Sequence, residues 1–402
     1  MQNSNQQKLH AALSALQQQD QYRTLPMLHH QGRHVIVDGR PLLNIASNDY
    51  LGLGMDSALQ RTFFDQLHQA DSLPKMSATS SRLLTGNDNE LMALESDLAA
   101  WYERAATDTK SALVFNSGYH ANIGILPALT ALPVPTLILA DKLVHASIID
   151  GIRLCQNRAC HYRRYRHNDA AHLAELIAQA GAEIERIIIV TESIFSMDGD
   201  RADLAALVAL KRSDSRIELY VDEAHAVGVL GETGLGLAEE TQTLAEIDYL
   251  VGTFGKAFAS VGAYLFCTKD IKAWLINQMR PLIFSTALPP INHAWTRFIL
   301  AKMPQLQHKR AHLADISQRL SQAIPPAHQV SQPAPQHYQS PIIAYVLGDN
   351  AATVAKAKAL QAAGFYALPI RPPTVPKHSA RIRLVMNACV SMDDCQHLIS
   401  QL

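Results

Sequence analysis

Five short apolar runs constrain this chain more than any other feature: "SALVFN", "TLILAD", "RIIIVTES", "IELYVDEA" and "DYLVGTFG", all between residues 111 and 256. Each is rich in Ile, Val and Leu and apolar on both faces. Stretches with helical spacing, such as 169–181 and 202–212, lie between them. A strand that is apolar on both faces must be covered on both, and strands alternating with helices are the pattern of a parallel α/β sheet. The fold class is therefore α/β, with a mostly parallel sheet in the largest unit.

Before this region, residues 1–45 read as a helix followed by a short hairpin around "GRHVIVDGRPLLN", with Asp38-Gly39 as its turn. Helical patterns follow at 57–71 and 88–104. The stretch 325–341 holds five of the 19 prolines and reads as a surface connection. Beyond it come a strand at 342–347, a helix at 351–363 ended by Gly364, the strand "ARIRLVM", and a last helix whose S-x-x-D start at Ser391 resembles a capping box. The domain division expected is 1–45, an N-terminal helix and hairpin; 46–288, a large α/β domain; and 289–402, a small α+β domain. A chain of 402 residues, 48% hydrophobic, suits more than one core.

The charge balance, net −1, leaves no electrostatic footprint for nucleic acid or an anionic membrane surface. The five cysteines are odd in number and form no C-x-x-C, which suits reduced thiols in a reducing compartment. No apolar run approaches the ~18 residues of a membrane span. The expectation is a soluble, cytoplasmic protein.

Several motifs fail on inspection. Gly52-x-Gly54 and Gly234-x-Gly236 lack the third glycine of a dinucleotide fingerprint. Gly255-Lys256 is no phosphate loop, because Leu250 stands at the upstream glycine position and Ala257 replaces Ser or Thr. The 18 histidines form no zinc spacing, so no metal site is expected. No G-x-S-x-G elbow occurs.

Ligands of parallel α/β sheets bind beyond the carboxyl ends of the strands, so the polar groups there matter. "NSGYHANIG" follows the first strand, and its helix start, with Gly118 and Tyr119, is an anion site or an ordinary turn. His145 follows the second, and a lone histidine there is more often structural. Ser196 and Asp198 follow "IIIVTES", where turn chemistry alone would explain them. Asp222 closes the apolar strand "IELYV", with His225 three residues on. A carboxylate there is expensive unless partnered. Metal ligation by Asp222 and His225 is the rival, with no third ligand evident. Lys256, in "TFGKAFASVGAYLF" with Thr253, is the sole charge of an apolar run. Desolvation lowers a lysine's pKa and makes it a nucleophilic amine; an ion pair is the plainer alternative. Taken together, an anion-binding helix start, a histidine, a strand-end carboxylate and a desolvated lysine are what pyridoxal phosphate requires.

At these residues the chain resembles the α-oxoamine synthases. The motifs are "SNDYLGL", "SGYHAN", "DKLVHASIIDG", "TESIFSMDGD", "DEAHAVGVLGETGLG", "TFGKAFASVGAYLF", "IFSTALPP" and "LPIRPPTVPKHSARIRL", in the family's order from about residue 23 to the end. The resemblance implies a pyridoxal-phosphate-dependent transferase of the aspartate-aminotransferase-like fold, fold type I. It implies Lys256 as the Schiff-base lysine, Asp222 as partner of the pyridinium nitrogen, and His145 as the residue stacked on the ring and touching substrate. Gly118 and Tyr119 would bind cofactor, and Ser196, His225 and Thr253 would hold its phosphate or phenolic oxygen. Thr286 would reach the phosphate of a neighbouring subunit, which implies a homodimer with shared sites. Arg383 would hold the amino acid's carboxylate, Arg23 and Thr374 would contact acyl substrate, and Asn48 would lie near the site. The alternation in "ARIRLVM" puts Arg381 and Arg383 on one face, so either suits a carboxylate.

"RPPTVP" and "RYRHND" lean toward the members that join L-alanine to a pimeloyl thioester, on CoA or acyl carrier protein. Members using glycine or serine are the alternative, as is a regulatory subunit that keeps only the fold. The presence of Lys256, Asp222 and His145 argues against the last. One departure stands out: the family's glycine-rich "GSGGSR" ahead of "TG" is here "MSATSSRLLTG" (76–86), so thioester contacts are left open.

Overall fold

A computed structural model describes all residues except 1–3, 20, 107, 156–158 and 331–338. At its centre is a seven-stranded sheet. Across it run the strands Ser111–Phe115, Ala263–Cys267, Tyr249–Thr253, Ile217–Asp222, Arg186–Glu192, Thr136–Asp141 and Cys160–Tyr165. Four neighbouring pairs are parallel; only Ala263–Cys267 runs against both its neighbours. The four parallel inner strands are buried at almost every residue, which is why their sequences carry no polar alternation. Helices cover both faces, and their packing forms two apolar clusters, one on each side of the sheet.

Two strands are absent from the sequence expectation. Cys160–Tyr165, "CHYRRY", is the sheet's outer strand and is mostly exposed; an edge can carry charge, and charge discourages further pairing. Ala263–Cys267 is hidden in the apolar run after Lys256. It returns antiparallel to Tyr249–Thr253, Ala263 opposite Thr253. The lysine therefore sits in the loop of a hairpin, not in a crossover.

The N-terminal hairpin is present, as His34–Val37 and Arg40–Asn44, with Asp38 and Gly39 both at positive φ. His29–Gln31 adds an outer strand, and Phe365–Tyr366 joins parallel to Leu43 and Asn44. The segment 1–45 is thus tied by backbone bonds to the last part of the chain. A three-stranded sheet follows there: Ile342–Gly348, Ala380–Val385 and Pro369–Ile370. The helix Asn350–Ala362 ends before Gly364, whose φ is +99°. The helix Met392–Ser400 carries the capping box, Ser391 and Asp394 exchanging side-chain bonds with each other's backbone N–H. Of the 325–341 connection, residues 331–338 lie outside the described residues. Among the described residues no helix is long and apolar enough to cross a membrane.

One half-buried polar link ties the strand ends together. His167, from "RYRHND", stands between Asp141 (Nδ1–Oδ1, 3.0 Å) and Asp200 (Nε2–Oδ2, 2.7 Å), with Phe195 edge-on to its ring. Burial pulls its pKa down, but hydrogen bonds to the two aspartates outweigh this and raise it to about 9. A raised histidine pKa stabilises the fold fully below the unfolded value near 6.5 and ceases to do so as pH rises through about 9. In urea unfolding, wild type is expected to exceed His167→Gln by on the order of 2–3 kcal/mol near pH 6. That advantage shrinks above pH 7 and is gone near pH 10. A pH-independent difference would mean the histidine is neutral.

Candidate active site

The carboxyl ends of the parallel strands open into a cleft of about 190 Å³. Asp222 closes its strand on the cleft floor, 6% exposed. Its carboxylate is pinned by two donors, Asn122 Nδ2 on Oδ2 and the Ala224 backbone N–H on Oδ1, each at 2.9 Å. Asn122 is itself fixed. Its Oδ1 accepts from the Tyr220 hydroxyl at 2.6 Å, and its Nδ2 also donates to Ser147 Oγ at 2.9 Å. Ser147 Oγ meets His145 Nδ1 at 2.7 Å. One relay of side chains therefore orients both the floor carboxylate and the histidine at the cleft edge.

His145 caps the helix Ala146–Arg153. The protein packed around its ring lowers its pKa; Asp222 opposes this and Lys256 adds to it. His225 is 5% exposed and lies well below its usual pKa, through burial first and then the charges of Lys256, Arg383 and His145. Its Nδ1 lies 2.6 Å from the Tyr50 hydroxyl, and burial pushes that phenol up to about 12. A neutral imidazole receiving the Tyr50 proton at Nδ1 carries its own proton on Nε2, as a donor.

Lys256 lies in the hairpin loop between Tyr249–Thr253 and Ala263–Cys267. Desolvation lowers its pKa to about 8; Asp222 and Glu192 oppose the shift, and Arg383 reinforces it. Among the described residues no hydrogen bond or ion pair holds its amine, which opens into the cleft. The expected alternative, a structural ion pair, is thus not what the geometry shows.

At the other end, the helix Gly118–Thr130 points its N-terminus at the cleft, capped by Ser117 Oγ on the His120 N–H. The Gly118 and Tyr119 N–H groups are left without intrahelical partners. A Cβ on Gly118 would touch only Thr253, at 3.9 Å. The Thr253 hydroxyl serves its own loop, donating to Gly262 O at 3.0 Å and accepting from the Gly255 N–H at 3.2 Å. Tyr119 turns its hydroxyl to Asp150, 2.9 Å away.

The fold thus brings Gly118, Tyr119, His145, Asp222, His225, Thr253 and Lys256 to one cleft. Ser196 and Asn48 stand beside it and are joined through Arg383, whose Nε donates to Ser196 O at 2.6 Å and Nη1 to Asn48 Oδ1 at 3.0 Å. Arg381 is committed to Asp198 in an ion pair. Gly199 makes that pair possible: its φ is +77°, and a Cβ there would lie 2.0 Å from the Ile342 carbonyl. Arg383 has no carboxylate partner among the described residues, so of the two arginines it is the one whose charge is not already paired with an anion. Three residues lie outside the cleft. Arg23 donates to Thr374 Oγ1 at 3.1 Å on the surface. Thr286 is exposed and bridges Ser81 through its backbone. In the altered 76–86 segment, Arg82 pairs with Glu95 at 2.6 Å and also reaches Asn87 and Val114 O.

Asn122, Ser147, Tyr50 and Glu192 are missing from the sequence expectation. Glu192 had a signal, since it closes an apolar strand as Asp222 does. The others had none, because the partners that tie them to the floor carboxylate and to His225 lie far along the chain. Among the described residues no three His, Cys, Asp or Glu side chains gather to hold a metal ion.

Pyridoxal phosphate fits this donor set. It needs an anion partner for a ring nitrogen, an amine for its aldehyde and N–H donors for its phosphate. The cleft supplies a pinned carboxylate, a lysine amine with no competing partner and an open helix N-terminus.

Comparison with known proteins agrees. The family model described as aminotransferase class I and II matches residues 40–402. The chain is 53% identical over 388 residues to the Pasteurella multocida protein named "Putative 8-amino-7-oxononanoate synthase", covering 96% of each. A variant of serine palmitoyltransferase from S. paucimobilis, solved with a PLP–myriocin aldimine, superimposes with a TM-score of 0.84 at 25% identity, covering 99% of this chain and 96% of that one. An 8-amino-7-oxononanoate synthase from Francisella tularensis does so with 0.69 at 26% identity, covering 90% and 96%. The chain belongs to the class I and II aminotransferase family, and it is a pyridoxal-phosphate-dependent enzyme of fold type I.

Proposed function

We propose that this enzyme condenses L-alanine with a pimeloyl thioester, carried by CoA or acyl carrier protein. The products are 8-amino-7-oxononanoate, carbon dioxide and the free thiol, which makes it the 8-amino-7-oxononanoate synthase of biotin biosynthesis. The observation that carries this reading is the 53% identity, across 96% of both chains, to a protein bearing that name. A second reading, an amino acid other than alanine, draws on the larger overlap with serine palmitoyltransferase. That overlap comes with 25% identity and speaks to the fold more than to the substrate.

Bound pyridoxal phosphate supplies an electron sink for the pair released at the amino acid's α-carbon. The chain's own residues do the rest. Lys256 Nζ, with no competing partner, would be the residue that holds the cofactor through its aldehyde. As a free amine it then takes the α-proton, and its pKa near 8 suits a base working near neutrality. Asp222, fixed by Asn122 and Ala224, keeps a proton on the pyridine nitrogen. His225 Nε2 would donate to the cofactor's phenolic oxygen, with Ser196 beside it. The Gly118 and Tyr119 N–H groups and Thr253 receive the phosphate. His145 would cover the cofactor's ring, and its Nε2, free of Ser147, would polarise the thioester carbonyl. The Arg383 fork takes the alanine carboxylate. Arg23 and Thr374 hold the acyl end, with Asn48 positioned by Arg383. In a homodimer, Thr286 would complete the phosphate site of the other subunit; the work is done in the cytoplasm.

The test is release of free thiol from pimeloyl-CoA with alanine, glycine, serine or threonine as co-substrate. Alanine is expected to exceed the others in kcat/KM by at least tenfold, since one methyl group in a fitted pocket is worth about 10–200-fold. Faster turnover with glycine or serine would overturn the assignment.

A further inference from the structure

The cleft holds a second carboxyl group that the mechanism above does not use. Glu192 ends the strand Arg186–Glu192, and the parallel register sets it opposite Asp222. Residues in register on neighbouring strands leave the sheet on the same side, so both carboxyls line the same cleft. They are not treated alike. Asp222 has two donors on it. Glu192 is 3% exposed, and its Oε1 is buried with no hydrogen-bond partner. The backbone N–H of His145 lies near enough to act on its carboxyl, short of a formed hydrogen bond.

Two carboxylates side by side in a dry site do not both ionise; the one lacking donors keeps its proton. The groups facing Glu192 are Asp222 on a neighbouring strand, Lys256 in the hairpin loop and the His145 segment; Asp141, one residue past the Ala140–Val190 pair, leaves the sheet on the other face and acts by its charge alone. Burial first, then the charge of Asp222, hold Glu192 well above the ordinary carboxyl range. Lys256 and the His145 N–H act the other way, and Asp141 adds to the rise. An anionic Glu192 opposes the lowering of the Lys256 amine; a neutral one leaves that lowering unopposed from its side.

We propose that Glu192 is a positioning residue of this site: a neutral carboxylic acid that leaves Asp222 the only ionised member of the pair and steadies the His145 backbone. The inference rests on the cleft being the pyridoxal-phosphate site, and it is independent of which amino acid and thioester are used.

The full chain without cofactor gives the first test. Folded wild type holds a proton that the unfolded chain releases above pH about 4.3. Its unfolding constant therefore rises up to about tenfold per pH unit relative to Glu192→Gln, which has nothing to release. As pH rises from about 5.5 the difference in Tm should widen in favour of Glu192→Gln until the folded carboxyl itself ionises, and parallel curves would overturn the proposal. In the pyridoxal-phosphate-loaded protein, the visible absorbance is titrated with pH. Glu192→Gln removes no charge, so the midpoint should stay within about 0.3 unit of wild type; a fall of about one unit or more, the mark of a lost anion, would overturn it. Glu192→Ala takes away the side chain beside the His145 segment and should weaken pyridoxal-phosphate binding about tenfold, the scale of an ordinary destabilising substitution. Wild-type affinity in that variant would refute the positioning role.

Discussion

Lys256→Ala is expected to lower kcat by about four orders of magnitude and to leave the fold intact. A positioned base contributes roughly 10²–10⁴-fold, and here the same amine also holds the cofactor covalently. Borohydride reduction followed by denaturation should leave no cofactor on the variant. The fold survives because the amine has no bonded partner among the described residues to be orphaned. Its removal relieves the desolvation of a buried cation. Lys256→Arg separates the roles: it keeps the charge but cannot give up its proton, so it should be as inactive as alanine. In cofactor-free wild type, acylation of Lys256 by an amine-directed reagent should rise with pH around a midpoint of about 8. Turnover of either variant within tenfold of wild type would end the case for Lys256 as the base.

Asp222→Asn should cost about 10²–10³-fold in kcat, the scale of losing one preorganised electrostatic contact, and should loosen the cofactor. The change is smaller in atoms than in consequence. Asp222 accepts on both oxygens, from Asn122 and from the Ala224 N–H, so an asparagine must set one N–H donor against another. It also takes away the anion that faces the pyridine nitrogen. The sign at Lys256 follows: the Asp222 charge raises the lysine pKa, so its loss lets the amine fall below 8. The acylation midpoint of cofactor-free Asp222→Asn should therefore move to lower pH. An unchanged midpoint together with normal turnover would remove Asp222 from the electron-sink role.

The inner strands 136–141, 186–192 and 217–222 are legible in sequence because burial on both faces leaves an unbroken apolar signature. Cys160–Tyr165 is not, since its edge position demands nothing apolar of it. Ala263–Cys267 is apolar enough, but nothing in the sequence separates it from the lysine loop. In the site, Asp222 announces itself because a carboxylate at the end of a buried strand needs a reason. The same argument applied to Glu192 would have found it. Arg381 and Arg383 are equivalent by alternation; only the turn at Gly199, which brings Asp198 to Arg381, distinguishes them. Asn122 and Ser147 could be seen only with the relay assembled.

The bond between Arg383 and Asn48 joins residues 335 positions apart. A ribosome adding roughly 5–20 residues per second takes about 20–70 s to cover that distance. Lys256 is made 127 residues before Arg383 (383 − 256), so for the last part of that interval the chain carries Asp222 and Lys256 while the arginine fork for the substrate's carboxylate does not yet exist. A nascent chain can therefore meet its cofactor before it can recognise an amino acid, so capture of the vitamin and competence for the substrate are separated in time during the birth of each molecule.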